Sequence, residues 1–333
     1  MPTPASAWLK TDAPRTDALT EDHLREFAAE VCADLSKPQK ELHSKYLYDE
    51  LGSALFEAIT RLPEYGLTRA DERLLRSHAR DIAQVIPAPA AVIELGSGTG
   101  EKTRHILEAF TASRSKVRYV PIDVSPKALA RCQQDLADVA EVQPLAQSYL
   151  DGMASAVGRR PVEQPLLILF LGSTIGNFER LRAVDFLQAL RRSLRPGDAL
   201  LIGADLVKDR DQMLRAYDDP IGLTAAFNLN LLGRINRELG GNFDLRNFQH
   251  EARWNEAERR VEMHLRSRVD QTAVIAEADL TVRFQAGETI WTESSHKFQL
   301  DELCEIAERT GFRVQAQWVD PDWPFVESLW VAR

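Results

Sequence analysis

Apolar and polar positions in the middle of the chain form two alternating kinds of segment. Short continuous apolar runs are followed by stretches in which apolar residues recur with the period of a helix. A continuous apolar run is typical of a strand that is buried on both faces of a parallel sheet. The sequence therefore predicts an α/β fold with a doubly wound parallel sheet. The predicted strands are residues 91–95, 117–123, 141–145, 165–171 and 199–204, and the predicted helices between them are residues 102–110, 125–138 and 179–194.

This alternation stops after residue 205. Residues 206–297 begin with a helical part and continue with segments in which polar and apolar residues alternate with period two, as is typical of an antiparallel sheet. Residues 298–333 return to a helix and a closing pair of strands. We predict that residues 72–205 and 298–333 form the doubly wound domain, and that residues 1–71 and 206–297 form a second, α+β lobe that binds the substrate.

Composition narrows the class of partner. The 333 residues are 44% apolar and carry a formal net charge of −9. Nucleic acids and anionic membranes attract clustered Lys and Arg, so the sequence predicts neither as a partner and favours a small-molecule substrate.

The cysteines and histidines suggest neither disulfides nor a metal. Cys32, Cys132 and Cys304 lie far apart, and the seven histidines have no metal-ligand spacing. The first residues lack the apolar core of a signal peptide, and no apolar run approaches the roughly 20 residues that span a bilayer. We therefore expect a reduced, cytoplasmic protein without a metal. No repeat or heptad indicates assembly, so we expect a monomer.

A glycine-rich turn follows the first predicted strand. Gly96, Gly98 and Gly100 stand at alternate positions between the strand and a helix. Glycine permits backbone dihedrals that are closed to other residues and lets a ligand approach the main chain, while the start of a helix offers free N–H groups. The turn predicts a nucleotide-like cofactor, although a glycine-rich turn without a ligand has the same local pattern.

Spacing selects among the cofactors. A dinucleotide fingerprint would place its third glycine at position 101, where this chain has Glu101, and the phosphate-loop pattern fails because the required glycine does not stand directly before Lys102. The second predicted strand ends in Asp123, whose carboxylate can accept hydrogen bonds from both hydroxyls of a ribose. This arrangement is typical of the S-adenosylmethionine site of a Rossmann-like class I methyltransferase.

Further polar residues follow the same edge of the predicted sheet. Gly172 and Asn177 come after the strand at residues 165–171, and ligands of open α/β sheets bind beyond the carboxyl ends of the strands. Tyr48 and Tyr65 lie at predicted turns in the N-terminal part. Alone, these tyrosines are better explained as cover for a core edge, with their hydroxyls in water.

Several motifs together resemble one enzyme family. They are YDELGS, LPEYGLTR, IELGSGTGEKT, PIDVS, FLGSTIGNF, AYDDPIGLTAAFNLNLL, VEMHL and TESSHKF, and they run in order from about residue 40 to residue 333. The chain resembles the histidine-specific N-alpha-methyltransferases of ergothioneine biosynthesis. The resemblance implies transfer of three methyl groups from S-adenosylmethionine to the α-amine of L-histidine, giving hercynine.

The resemblance also implies a role for individual residues. Tyr48 matches a tyrosine at the cofactor and the substrate amine, and we expect it to orient that amine or relay its proton. Asn177 matches a second group at the amine. The remaining matches are Gly96, Gly98, Lys102, Asp123, Ser148 and Tyr149 for the cofactor, Gly172 for the amine, Tyr65 and Tyr217 for the carboxylate, and Met263, Glu293 and Ser295 for the imidazole.

Chemistry makes sense of the imidazole match. Glu293 and Ser295 are two positions apart on a predicted strand, so both side chains point to the same face and can hold the two ring nitrogens together. A buried glutamate without a ring partner would be costly, so Glu293 should discriminate for histidine. Taken singly, Glu293 is better explained as a solvated strand residue, Met263 as a core residue that fills a gap and Asn177 as a turn residue at a strand end. The joint match at ordered positions overturns these explanations.

One segment departs from the family pattern. Where the family usually places an aspartate against the adenine, the chain has Ser148, so either Ser148 or Asp151 is expected to accept the adenine amino hydrogen.

Three other functions compete with this interpretation. The alternatives are a sister enzyme that methylates another amine such as tryptophan, a cofactor-binding protein without activity, and a nicotinamide oxidoreductase. The glycine spacing argues against the last.

Overall fold

The computed structural model describes residues 21–333, apart from residues 87–90, 112–116, 159 and 161–164. The strands are β1 Lys40–Glu41, β2 Ala91–Leu95, β3 Val117–Asp123, β4 Ala140–Val142, β5 Leu145–Ala146, β6 Leu166–Phe170, β7 Ala199–Asp205, β8 Phe248–Asn255, β9 Arg260–Ser267, β10 Gln271–Ile275, β11 Leu280–Phe284, β12 Thr289–His296, β13 Phe312–Val319 and β14 Phe325–Ala332. The α-helices are α1 Glu21–Leu35, α2 Glu50–Ile59, α3 Gly66–Val85, α4 Arg104–Thr111, α5 Pro126–Leu136, α6 Tyr149–Val157, α7 Arg180–Arg192, α8 Arg210–Tyr217, α9 Leu223–Glu238 and α10 Leu300–Arg309.

The larger sheet has eight strands, seven of them in the order β13-β14-β7-β6-β2-β3-β4, with β5 also paired to β3. The pairs from β7 to β4 are parallel, whereas β14 is antiparallel to both of its neighbours. Every residue of β2, β6 and β7 is buried, as expected for strands covered on both faces. The prediction of a Rossmann-like α/β fold is confirmed.

The smaller sheet joins two distant parts of the chain. Its order is β1-β12-β9-β8, in which β12, β9 and β8 are antiparallel and β1 pairs in parallel with β12. Strands β10 and β11 form a separate hairpin. The short strand β1 thus attaches the N-terminal segment to the segment between β7 and α10, so both contribute to one sheet.

The sequence-based element boundaries need several corrections. The strand predicted at residues 141–145 is split into β4 and β5, and the period-two pattern did not reveal β8 or β10. Gly52 lies inside α2, where a Cβ would collide with the Leu47 carbonyl oxygen. The predicted boundary at residue 72 falls within α3, and the four-part division of the chain stays a prediction.

A buried ion pair stabilises the edge of the sheet that lies away from the carboxyl ends of the strands. The Arg160 guanidinium donates to both carboxylate oxygens of Asp198, at 2.8 and 2.6 Å, and Asp198 also accepts the N–H of Leu166 at the start of β6. These bonds join Arg160 to the starts of β6 and β7. The opposite edge is therefore free to carry functional residues.

Candidate active site

The glycine turn, residues 96–100, connects β2 to the start of α4. Gly96, Gly98 and Gly100 all have positive φ, at 72°, 52° and 67°. The N–H of Gly98 donates to Oδ2 of Asp123 at 2.9 Å, which ties the turn to the end of β3. A Cβ at Gly98 would meet no atom within 4 Å, so this main chain is open to a ligand.

Gly100 is glycine for a different reason. A Cβ at this position would lie 2.8 Å from Sγ of Cys132 and 3.2 Å from the Tyr119 hydroxyl. The space beside the turn is therefore filled by β3 and α5, and any side chain at Gly100 would be crowded as well as strained.

Lys102 lies in a cluster of buried carboxyl groups. Its ammonium donates to Asp71, and the N–H of Gly172 donates to the same Asp71 oxygen at 3.1 Å. Glu327 on β14 faces this pair, and burial, followed by the charge of Asp71, holds the pKa of Glu327 well above its usual range. Burial also raises the pKa of Glu94 to about 7, although the Tyr119 and Thr103 hydroxyls donate to it.

The start of α6 contains both residues that were predicted as candidates for the adenine contact. The Ser148 hydroxyl donates to Asp151 at 2.6 Å and caps the helix. The two candidates for the adenine amino group are therefore hydrogen-bonded to each other. Tyr149 lies edge-on to Phe170, and a Cβ at Gly96 would lie 3.1 Å from the Tyr149 hydroxyl.

The second group of predicted residues surrounds Glu293. The Tyr48 hydroxyl donates to Oε1 of Glu293 at 3.5 Å, and Met263 lies directly opposite Glu293 on the neighbouring strand. A register shift between Trp291 and Glu293 marks a bulge in β12, a feature that re-aims side chains. Partial removal of the carboxyl group from water raises the pKa of Glu293 to about 7 against the opposing effects of the Tyr48 hydroxyl and the Lys297 charge.

Aromatic rings form the wall of this pocket. Tyr48 lies edge-on to Phe56 and Phe227, each with ring centroids 5.5 Å apart, and Tyr65 lies edge-on to Tyr217 at 6.0 Å. Burial holds the pKa of Tyr48, and likewise that of Tyr65, well above 10. Both phenols therefore stay neutral at physiological pH and can donate hydrogen bonds.

Lys297 was not predicted as a site residue, yet its side chain is fully buried beside two predicted ones. The ammonium donates to the Tyr217 hydroxyl at 2.8 Å and to Ser295 Oγ at 2.9 Å, and it pairs with Asp205 at 2.9 Å. Tyr217 donates in turn to Ser295 Oγ at 2.7 Å. We call these four residues the Lys297 network. The period-two spacing of 293, 295 and 297 was a signal that could have revealed Lys297.

Asn177 is less closely tied to the pocket. It ends a 3-10 helix, Thr174–Asn177, whose Gly176 carbonyl accepts a hydrogen bond from His296 at 3.1 Å, next to Ser295 in the chain. The Asn177 side chain is exposed and makes no hydrogen bond to the part of the chain that the structure describes. The structure thus joins Tyr48 to Glu293 and Tyr217 to Ser295 through direct hydrogen bonds, and places Asn177 only in their neighbourhood.

No group of three or more His, Cys, Asp or Glu residues in the described ranges is arranged to hold a metal ion. Within the same ranges, no helix is long and apolar enough to cross a membrane.

Comparison with known proteins gives the family. The model of the family described as histidine-specific methyltransferase, SAM-dependent, matches residues 27–332. The histidine N-alpha-methyltransferases of Mycolicibacterium smegmatis and Mycobacterium tuberculosis are each 42% identical to the chain, over 90% of this chain and 93% of theirs. Ergothioneine biosynthesis protein 1 of Neurospora crassa is 36% identical over 60% of this chain and 23% of its own length. The chain belongs to the SAM-dependent histidine-specific methyltransferase family.

Proposed function

We propose that this protein transfers three methyl groups from S-adenosylmethionine to the α-amine of L-histidine, forming hercynine in the first step of ergothioneine biosynthesis. The observation that carries the proposal is the Glu293 and Ser295 pair, two residues apart on β12 in an aromatic pocket. An imidazole has two ring nitrogens that such a pair can hold, whereas an indole has one nitrogen and more bulk. The 42% identity to two histidine N-alpha-methyltransferases supports the same substrate.

The glycine turn fits the cofactor. The open main chain at Gly98 and the Asp123 carboxylate, which keeps lone pairs free for hydroxyl groups, suit a ribose and its attached chain. We propose that Gly96, Gly98, Lys102, Asp123 and Tyr149 hold S-adenosylmethionine, with Ser148 or Asp151 at the adenine. When bound, the cofactor supplies a methyl group on a positively charged sulfur.

The protein residues position the substrate amine. Methyl transfer requires a neutral amine whose lone pair points at the methyl carbon, so catalysis consists mainly of orientation in a polar site. We propose that Tyr48 orients this amine or relays its proton, and that Asn177 and Gly172 contact it. In the same arrangement Tyr65 and Tyr217 contact the carboxylate, and Met263 packs on the ring held by Glu293 and Ser295.

The test of this function is mass spectrometry of the purified protein with S-adenosylmethionine and each of histidine, tryptophan and tyrosine. We expect a gain of three methyl masses on histidine alone. Methylation of tryptophan instead would overturn the imidazole assignment, and S-adenosylmethionine binding without any product would favour a binding protein. A Tyr48→Phe variant with unchanged rates at all three methylations would overturn the role of Tyr48.

We further propose that the enzyme acts as a monomer in the cytoplasm and needs no metal. These expectations rest on the absence of repeats, paired cysteines and metal-ligand spacing in the sequence. Light scattering during gel filtration tests the oligomeric state. Activity that is unchanged after treatment with EDTA is the result expected for a metal-free reaction.

A further inference from the structure

The Lys297 network leaves few choices for its hydrogen atoms. The Lys297 ammonium has three hydrogens, and its three partners are Asp205, Tyr217 Oη and Ser295 Oγ at 2.8 to 2.9 Å. Each hydroxyl therefore receives a hydrogen from the lysine. The 2.7 Å contact between the two hydroxyl oxygens holds one further hydrogen, donated by Tyr217. The hydroxyl hydrogen of Ser295 then has no acceptor within the network.

We infer that Lys297 is a specificity-determining residue that acts through Ser295, forcing this hydroxyl to donate its hydrogen to the unprotonated ring nitrogen of the substrate. The inference rests on the proposed function and deepens it. With Ser295 as the donor and the Glu293 carboxylate as the acceptor, the pocket recognises a ring that has one N–H and one nitrogen lone pair. A neutral imidazole in one tautomer meets this requirement.

The same hydrogen count bears on Tyr217. Its single hydroxyl hydrogen goes to Ser295, so a substrate carboxylate beside Tyr217 would receive its hydrogen bond from another donor, such as the neutral Tyr65 hydroxyl. Lys297 and Tyr217 together occupy both lone pairs of Ser295 Oγ, so this hydroxyl can face the substrate only as a donor.

A buried carboxylate holds the lysine in place. Asp205 is 1% exposed, and besides Lys297 it accepts hydrogen bonds from Lys208 at 2.6 Å and from the Trp323 indole at 2.8 Å. Two lysines thus share one aspartate. Burial alone would raise the pKa of Asp205, but the charges of Lys297 and Lys208 outweigh it and hold that pKa below its usual value.

Lys208 provides a matched control. Its side chain is 2% exposed against 0% for Lys297, and both pair with Asp205. The hydrogen bonds of the Lys208 ammonium go to Asp205 and to the Leu206 carbonyl rather than to either hydroxyl. Replacing Lys208 with Met removes the same charge from the same carboxylate without releasing Ser295.

The experiment compares wild type, Lys297→Met and Lys208→Met by calorimetry with two ligands. One is histidine, and the other is a pyrrolylalanine that keeps the N–H facing Glu293 but has C–H in place of the second ring nitrogen. In the wild type, the analogue leaves the Ser295 hydroxyl without an acceptor, so histidine should bind more tightly. We expect the ratio of the two dissociation constants to fall by about tenfold in Lys297→Met and to stay within about twofold in Lys208→Met.

Two results would overturn the inference. In one, Lys297→Met weakens both ligands equally and keeps the wild-type ratio, as a merely structural residue would. In the other, Lys208→Met lowers the ratio as much as Lys297→Met does. Asp205 keeps two partners in the Lys297→Met variant, so we expect it to fold; should its circular dichroism show otherwise, Lys297→Gln is compared in its place. Wild-type protein that fails to methylate histidine would overturn the proposed function itself, and the inference with it.

Discussion

At the glycine turn, the atoms that face the open site are largely main-chain atoms, whereas around Glu293 they belong to side chains. The turn is fixed by backbone conformation and by hydrogen bonds to the end of β3, among them those from Gly98 to Asp123, 25 residues away, and from Gly96 to the Ile122 carbonyl. The pocket instead joins Tyr48 to Glu293 across 245 residues and Tyr217 to Ser295 across 78. The cofactor edge is thus a local structure on a rigid sheet, and the substrate pocket is assembled from three separate segments.

This difference predicts that the two halves of the site can be damaged independently. The largest expected effect is on the substrate side. Glu293→Gln replaces one carboxylate oxygen with a donor, so a ring N–H would face an amide hydrogen in some orientations. We expect kcat/KM for histidine to fall by about 10³-fold, while the dissociation constant of S-adenosylmethionine measured by calorimetry stays unchanged. Weakened cofactor binding in this variant would show that the two halves are coupled.

The reciprocal change is Asp123→Ala on the cofactor edge. It removes the acceptor of the Gly98 N–H and the proposed acceptor for the ribose hydroxyls. We expect the dissociation constant of S-adenosylmethionine to rise by about 30-fold, because hydrogen bonds to a charged group are among the stronger ones. Histidine binding to the variant, titrated in the absence of cofactor, serves as the control and should match wild type.

The separation along the chain between residues that meet in the site explains how much of it the sequence alone could predict. The glycine turn and Asp123 follow consecutive strands of a regular alternation, so spacing was enough to predict their place at one edge of the sheet. Glu293 and Ser295 were predicted as site residues only from the family resemblance, because a strand pattern does not show which residues from other segments face them. Asp71 and Glu327 were missed altogether: they meet Lys102 through packing of α3 and β14, which no local pattern encodes.

The pH dependence separates the two regions further. The Glu293 carboxylate must be ionised to accept the ring N–H, and burial sets its pKa at about 7, so kcat/KM should fall as the pH drops through 7. Besides burial, the titratable groups that act on the pKa of Glu293 are Tyr48, through its hydrogen bond, and Lys297, through its positive charge. Lys297→Met should therefore move this acidic limb to higher pH. If the acidic limb does not move in this variant, the limb reports the titration of another group, such as one on the substrate.

The smallest expected effect is at the start of α6. Ser148 and Asp151 are hydrogen-bonded to each other, and each is a candidate for the adenine amino group. If Asp151 is the acceptor, Asp151→Asn should weaken S-adenosylmethionine binding by about fivefold, and Ser148→Ala should weaken it less. The reverse order would assign the contact to Ser148. Thermal melts of both variants control for loss of the helix cap, which has a typical cost of about 1 kcal/mol.

The pairing of β1 with β12 has a consequence for synthesis of the chain. Lys40 lies beside Ile290, and Gln39 donates to the Thr289 carbonyl 250 residues away. At about 5 to 20 residues per second, a ribosome needs roughly 10 to 50 s to make the chain between them. Tyr48 therefore has no carboxylate partner until nearly the whole chain has emerged. The glycine turn and Asp123 are made within seconds of one another, so this contact of the cofactor edge can form long before there is a pocket for the amino acid.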